Sequence, residues 1–114
     1  MVEEKSDILQ GTLDLMVLKT LDAMGPMHGY GIAGRIEQLS EEAFRINQGT
    51  IFLCLIRLVQ KRWIAAAWGT SENNRRAKFY AISSAGRRQL VAEAKNWERV
   101  SGVIGRLLLL GHRG

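Results

Sequence analysis

Apolar residues recur at helical spacing in four stretches of the chain, which predicts four helices. The stretches run from Ile8 to Met24, from His28 to Ser40, from Ile51 to Arg62 and from Ala85 to Leu110. Gly25-Pro26 ends the first stretch, because proline cannot continue the hydrogen-bond ladder of a helix. The pattern therefore predicts a mainly helical protein whose last helix is its longest.

A different pattern separates the third helix from the fourth. Two short apolar or aromatic segments, Trp63 to Trp68 and Ala81-Ile82, flank a polar run that contains a turn rich in Gly, Ser and Asn. This arrangement predicts a β-hairpin. Its tip and return strand carry three cations that suit phosphate, Arg75, Arg76 and Lys78. Three helices, a hairpin and a long helix, in that order, favour a winged helix-turn-helix fold.

The first and last helices have more apolar surface than one small domain can cover. Apolar residues, among them Leu13 and Val17, occupy most of the first helix, so it must be covered on two sides. Alternating steps of four and three residues on the last helix form a seam for packing lengthwise against another helix. Members of this seam include Leu90, Trp97, Ile104 and Leu108. A helix of about 25 residues extends about 37 Å, so we expect a second copy of the chain to bury the seam.

The third helix has two different faces. Thr50 is placed to cap it, Gly49 fits the preceding turn, and Gln48 either reads a base or holds that turn. The face that we assign to the core contains Ile51, Cys54, Leu55 and Leu58. The opposite face is largely apolar and consists of Leu53, Ile56, Arg57 and Gln60, with Phe52 and Val59 at its edge. Arg57 is the best candidate on that face for a contact with guanine.

Charge favours a nucleic-acid partner. At 114 residues the chain is long enough for one domain with its own core. Its net charge is +5, but the charge is unevenly distributed. Residues 1–60 hold five Lys and Arg against eight Asp and Glu, whereas residues 61–114 hold eleven against three. The basic half therefore favours contact with a polyanion.

The sequence offers little for catalysis or metal binding. The two histidines are His28 and His112, and the single cysteine, Cys54, lies in an apolar run. A nucleophile, a base and an orienting group cannot be assembled from this set, and no Walker-type glycine loop is present. We expect neither an enzyme nor a metal site or cofactor. The lone cysteine and the lack of a visible export signal or membrane span favour a cytoplasmic protein.

Four phrases of the sequence carry a resemblance to a known family. They are Gly11-Thr12-Leu13-Asp14, Gly25-Pro26-Met27-His28-Gly29-Tyr30-Gly31-Ile32, Asn47-Gln48-Gly49-Thr50 and Ser71-Glu72-Asn73-Asn74-Arg75-Arg76-Ala77-Lys78. Through these phrases the chain resembles the PadR family of bacterial transcriptional regulators from Ile8 to Leu110. With one helix after the hairpin, it is similar to the short-tailed branch of that family.

The resemblance implies a homodimer that binds double-stranded DNA at an operator, usually as a repressor. The third helix would enter the major groove, and the hairpin would act as a wing on the backbone or minor groove. Because a two-fold dimer presents two such helices, the operator should be an inverted repeat. Residues 1–84 would form the DNA-binding domain, and residues 85–114 the dimerisation helix of the same structural unit. In some relatives an aromatic ligand loosens DNA binding.

These expectations define two sets of candidate residues. The predicted DNA contacts are Gln48, Gly49, Thr50, Phe52, Leu53, Arg57, Arg75, Arg76 and Lys78. The predicted dimer surface or ligand pocket contains Leu13, Val17, Leu90, Trp97, Ile104 and Leu108. The tryptophan is assigned to packing in the seam or, by resemblance, to an aromatic ligand pocket between protomers.

The third helix departs from the family pattern. Phe52 and Leu53 stand where the family usually has a tyrosine and a proline, and Val59 stands where a glutamate is common. A phenyl ring cannot donate a hydrogen bond to phosphate. Either Leu53 and Ile56 read the methyl groups of thymine, or this face binds operator weakly and is covered by a protein or a hydrophobic ligand. The intact wing cations favour retained DNA binding.

Overall fold

Four helices and three strands make up the computed structural model, which describes residues 10–41, 43 and 45–111. In chain order the elements are α1 (Gln10–Met24), β1 (Met27–His28), α2 (Gly29–Leu39), α3 (Gln48–Gln60), β2 (Ile64–Thr70), β3 (Arg76–Ile82) and α4 (Ser84–Leu108). The predicted fold, mainly helical with a small β-hairpin and a long last helix, is confirmed. The predicted start of α1 at Ile8 and the tail residue His112 lie outside the described residues.

The core lies where α1, α2 and α3 pack together over the base of the hairpin. The face of α3 that the sequence assigned to the core is buried: Ile51, Cys54, Leu55 and Leu58 are each at most 1% exposed. Helices α1 and α2 cover it from the other side, and the sheet and α4 close it with Ile64, Tyr80 and Leu90. The apolar periodicity of α3 therefore predicted its inward face correctly.

Three residues predicted for a dimer surface or ligand pocket belong to this core instead. Leu13 and Val17 are 3% and 0% exposed, and Leu90 is 8% exposed. Because α1 is apolar around most of its circumference, its sequence did not distinguish the side that packs on α2 and α3 from the outer side. The expectation that these three side chains face a partner is corrected: they pack inside their own protomer, and Leu90 of α4 also borders a cavity between α1 and α4.

A third strand, which the sequence did not predict, completes the sheet. Strand β3 lies between β1 and β2, and β1 places Met27 opposite Tyr80 and His28 opposite Phe79. His28 also caps α2, because its Nδ1 accepts a hydrogen bond from the backbone N–H of Gly31 at 3.0 Å. Its ring meets the Phe79 ring edge-on, with centroids 5.8 Å apart. The start of α2 is thereby fixed to the hairpin.

Helix α3 begins earlier than predicted and has a different cap. The N-cap is Asn47 rather than Thr50, and the Asn47 Oδ1 accepts a hydrogen bond from the backbone N–H of Thr50 at 2.7 Å. Asparagine is among the most favourable N-cap residues. Its capping brings Gln48 and Gly49 into the first turn of the helix, not into the turn before it.

Helix α4 is joined closely to the base of the hairpin. Ser83 caps it: the Ser83 Oγ accepts a hydrogen bond from the Gly86 N–H at 3.0 Å and donates one to the Arg62 carbonyl at 2.8 Å. A Cβ atom on Gly86 would overlap the carbonyl oxygen of Trp63. Only glycine allows the backbone of α4 to approach the hairpin this closely.

Candidate nucleic-acid interface

Strands β2 and β3 form a wing that projects beyond the core. They pair antiparallel from Ile64 opposite Ile82 to Thr70 opposite Arg76, which confirms the predicted hairpin. At the tip, the Asn74 N–H donates a hydrogen bond to the Ser71 carbonyl at 2.9 Å, and Asn74 has a φ of 60°. Asparagine adopts this left-handed conformation more readily than most residues. The result is a tight polar turn at the end of the wing.

One face of the wing is apolar at its base and cationic toward its tip. Because side chains alternate between the two faces of a strand, the face that buries Ile64 and Tyr80 continues outward with Trp68, Lys78 and Arg76. Trp68 is 58% exposed. The Arg76 Cζ lies 4.8 Å and the Lys78 Nζ 5.5 Å from the centre of its ring. Two of the three predicted phosphate-binding cations therefore share one indole.

A groove of about 940 Å³ separates this face of the wing from the N-terminal ends of α2 and α3. We call it the wing groove. Its lining combines aromatic and apolar surface with cations and includes Tyr30, Gln48, Gly49, Phe52, Trp68, Arg75, Arg76 and Lys78. Six of the nine predicted DNA contacts line this groove. The other three, Thr50, Leu53 and Arg57, are not part of its lining.

The exposed face of α3 is apolar, as its sequence predicts. Phe52 is 56% exposed, Leu53 63% and Ile56 39%. Phe52 borders the wing groove, whereas Leu53 and Ile56 extend this apolar surface past the groove lining. None of the three side chains carries a hydrogen-bond donor or acceptor, so any contact that they make is apolar.

Arg57 does not point outward with these residues. Its Nη2 pairs with Oδ1 of Asp14 in α1 at 2.5 Å, and its side chain is only 25% exposed. The expected outward placement of Arg57 is therefore wrong, because this long side chain turns back to a buried carboxylate. A guanine contact through Arg57 stays a prediction, and it would require the guanidinium to leave or share this ion pair.

Asp14 is the acceptor at the centre of a small buried cluster. The side chain of Asp14 is 7% exposed, and the Oδ1 that pairs with Arg57 also accepts a hydrogen bond from the Cys54 thiol at 3.2 Å. Burial, followed by the hydrogen bond to Asp14 and the charge of Asp14, raises the pKa of Cys54 to about 12. The thiol therefore remains protonated and acts as a donor. This cluster connects α1 to α3, the helix that borders the wing groove.

A second apolar surface lies on α4, away from the wing groove. Trp97 is 54% exposed, Ile104 49% and Leu108 73%. Beside the first half of α4, a cavity of about 780 Å³ opens between α1, the end of α2 and α4, and its largely apolar lining includes Leu15, Met16, Ile36, Leu39, Leu90, Val91 and Ala94. Among the described residues, no helix is both long and apolar enough to span a bilayer.

The combination of a capped helix, a cationic wing and a long last helix has counterparts among known proteins. A model of the transcriptional regulator PadR-like family matches residues 17–92 of the chain. The chain belongs to this PadR-like family. Members of the family are DNA-binding transcriptional regulators, so this PadR-like protein is a DNA-binding regulator and not an enzyme.

Individual relatives extend the likeness over most of the PadR-like chain. Uncharacterized protein X of Lysinibacillus sphaericus is 30% identical over 100 residues, which cover 88% of this chain and 91% of the relative. A transcriptional regulator from Clostridium thermocellum superposes with a TM-score of 0.79 at 26% identity, over 88% of this chain and 96% of that one. A PadR-like transcriptional regulator from Bacillus cereus superposes with a TM-score of 0.75 at 23% identity, over 89% and 95%.

Three residues that shape the site of this PadR-like regulator were not predicted from its sequence. Tyr30 belongs to the second of the four family phrases, lies in the first turn of α2 and lines the wing groove. Trp68 is absent from the predicted DNA contacts, although it is opposite Lys78 in the register of the hairpin and lines the wing groove. Asp14 is an acid with apolar neighbours on both sides, Leu13 and Leu15, and that setting is the signal that could have indicated a buried partner.

Proposed function

We propose that this PadR-like protein is a homodimeric repressor that binds an inverted-repeat operator through two wing grooves. The observation that carries this proposal is the composition of the groove, where the first turn of α3 and the cations of the wing line the same space. Cations that neutralise phosphates supply much of the affinity for DNA. A helix that reaches base edges supplies the sequence preference. We expect the protein to act in the cytoplasm.

The proposed dimer forms along α4. The exposed side chains of Trp97, Ile104 and Leu108 need a cover that the described part of this protomer does not supply. A second copy of α4 supplies a matching apolar surface. In this arrangement residues 1–84 form the DNA-binding domain and residues 85–114 the dimerisation helix. A two-fold axis would place the two α3 helices about 34 Å apart, one turn of B-DNA, which is why we expect an inverted repeat.

The proposed DNA contacts divide into two groups. Phosphates are assigned to the exposed wing cations, Arg75, Arg76 and Lys78. The first turn of α3, from Gln48 to Thr50, lies at the positive end of the helix dipole and approaches the backbone. Phe52 and Leu53 on the exposed face approach the bases. Apolar side chains there favour thymine, whose methyl group lies in the major groove.

A small aromatic effector is the third part of the proposal. Trp97 leaves more than half of its surface exposed on the helix that we assign to dimerisation. Aromatic rings pair favourably with a flat indole. An aromatic molecule held between the two copies of α4 would change how the copies pack and so relieve repression.

The apolar face of α3 supports a second candidate function. Phe52, Leu53 and Ile56 together form an exposed apolar surface of the kind that protein-binding sites use. In that case the molecule is a dimeric winged-helix interaction module, and α3 binds a protein or a hydrophobic ligand. The two candidates differ in one measurable property, which is the dependence of DNA affinity on salt.

The test uses the DNA that flanks the coding region of the protein, searched for an inverted repeat and examined by gel shift over a series of salt concentrations. A repressor should lose affinity steeply with salt, and Arg75→Gln should lower the slope by about one unit for each lost phosphate contact. Arg99→Gln, an exposed cation of α4, is the matched control and should leave the slope unchanged. An interaction module would bind weakly, with no effect of Arg75→Gln. A 12.8 kDa species in sedimentation would contradict the dimer.

A further inference from the structure

Trp68 places a large aromatic ring on the wing, beyond the core. It is 58% exposed and lines the wing groove. Two cations of β3 lie over its ring, Arg76 at 4.8 Å and Lys78 at 5.5 Å from the centroid. An exposed tryptophan that lies beside two cations and is not a member of the buried core suggests a role in the groove itself.

The strand register creates this arrangement. Lys78 is directly opposite Trp68 on the neighbouring strand, and Arg76 is the diagonal neighbour two residues further toward the tip. Both positions bring side chains on the same face of a hairpin within reach of each other. The alternation that directs Trp68 toward the groove therefore directs both cations there as well.

The indole offers these cations a partner that does not compete for phosphate. Among the described residues, neither Arg76 nor Lys78 forms an ion pair with a carboxylate. Two neighbouring cations repel each other, and long basic side chains lose much conformational freedom when they are ordered. The face of an indole attracts a cation through its quadrupole. That contact leaves the N–H donors without an acceptor of their own, so they can still bind phosphate oxygens.

We propose that Trp68 is a positioning residue for DNA binding, whose indole holds Arg76 and Lys78 on the groove side of the wing before DNA arrives. The inference rests on the DNA contact proposed for the wing. It assigns the phosphate contacts to the two cations and the ordering of those cations to the ring. Removal of the ring should therefore lower affinity without lowering the number of phosphates that are neutralised.

The expected loss follows from the strength of exposed cation–π contacts. Each such contact is worth a factor of about 2 to 5 in an equilibrium constant. Two contacts predict a loss of about four- to twenty-five-fold for each wing that touches DNA. A lost phosphate contact has a different signature, because it lowers the slope of log affinity against log salt concentration by about 0.9.

The experiment compares variants on a fluorescein-labelled duplex of mixed sequence, by anisotropy over a series of KCl concentrations. Trp68→Leu removes the ring and keeps an apolar side chain, whereas Trp68→Phe keeps a smaller ring. Arg76→Gln removes one of the cations. Lys61→Gln is the matched control, because Lys61 lies 4.7 Å from the ring of Trp63 in a cation–π pair that does not line the groove.

We expect Trp68→Leu to bind about four- to twenty-five-fold more weakly for each wing that contacts the duplex, with an unchanged salt slope. Trp68→Phe should recover most of the affinity, Arg76→Gln should lower the slope, and Lys61→Gln should change neither quantity. Unchanged affinity in Trp68→Leu would overturn the proposal, as would a fall in slope equal to that of Arg76→Gln. Circular dichroism of each variant checks that the wing remains folded.

Failure of the underlying DNA contact is recognised separately. If the wing does not contact phosphates, the DNA affinity of the wild-type protein will not depend on salt concentration, and this is seen before any variant is compared. The contact between ring and cation has its own readout in the free protein, since the indole ring current shifts the Lys78 side-chain protons in NMR spectra. That shift should disappear in Trp68→Leu and persist in Lys61→Gln, and its absence from the wild type would overturn the proposal.

Discussion

Replacement of Asp14 by asparagine should weaken the connection between α1 and α3. The substitution keeps the shape of the side chain and removes the charge that pairs with Arg57. Loss of one partner costs about 3–5 kcal/mol in a fully buried pair and about 0–1 kcal/mol in an exposed one. Asp14 is 7% exposed, but Arg57 is 25% exposed and can turn toward water. We therefore expect Asp14→Asn to lower the free energy of unfolding by about 2 kcal/mol.

A double-mutant cycle isolates the pair from the other effects of each substitution. Arg57→Met keeps the aliphatic part of the side chain and removes the guanidinium, so that among the described residues the Cys54 thiol remains as the partner of the Asp14 carboxylate. The free energy of unfolding of the double variant should fall by about 1 kcal/mol less than the sum of the decreases in the two single variants. Urea unfolding, with all variants at the same protomer concentration, measures each value.

The chain contains a matched control for this cycle. Asp22, also in α1, pairs with Arg87 of α4 at 3.1 Å, but the two side chains are 31% and 60% exposed. Asp22→Asn should therefore cost no more than about 0.5 kcal/mol. If Asp14→Asn were equally mild, or if the losses in the Asp14 and Arg57 cycle were additive, the cluster would not contribute to stability as its burial requires.

Three further predictions concern packing, pH and base recognition. Gly86→Ala should destabilise the protein by about 3 kcal/mol, because the added Cβ would overlap the Trp63 carbonyl. Gly34→Ala is the control: its added Cβ meets nothing within 4 Å, so thermal unfolding should show a stabilisation of up to about 1 kcal/mol. Because the pKa of Cys54 is raised to about 12 from 9.0, its contribution to stability is complete below about pH 9 and is lost as the pH rises toward 12. Urea unfolding should show a loss of about 1.4 kcal/mol at about pH 10 that is absent from Cys54→Ala. Exchange of thymine for deoxyuridine in the duplex removes the methyl group and should weaken DNA binding by the wild-type protein about two- to fourfold per contacted methyl group. The same exchange should weaken binding by Leu53→Ala less, when the two proteins are titrated by fluorescence anisotropy.

Periodic patterns predicted the elements that extend over several turns or strand residues. The apolar spacing of α3 identified Ile51, Cys54, Leu55 and Leu58 as its inward face, and all four are buried. The polar run between two apolar segments located the wing and its cations. Strand β1 escaped prediction because it has only two residues, Met27–His28, and a pattern of period two needs more positions than that.

The remaining errors arise where side-chain reach or competition between neighbours decides the outcome. A helical wheel gives the direction of a Cβ atom, but the guanidinium of Arg57 lies several bonds further along and reaches a carboxylate 43 positions away in the sequence. Asn47 and Thr50 are both good N-cap residues. The sequence alone does not show which of them leaves the helical conformation, and in the structure Asn47 does.

The polar contacts of α1 determine how the wing groove and the proposed dimerisation helix are related. Asp14 connects α1 to α3, and Asp22 connects α1 to the first turns of α4 through Arg87. Gly86 allows the start of α4 to lie against the Trp63 carbonyl at the base of the wing, and the Ser83 Oγ donates a hydrogen bond to the Arg62 carbonyl beside it. These contacts, through α1 and at the base of the wing, connect the wing groove to α4. An effector that alters the packing of two α4 helices would therefore change the distance between two grooves more readily than the shape of either one. The expected signature is a loss of affinity for the full inverted repeat, with binding to a single half-site left unchanged.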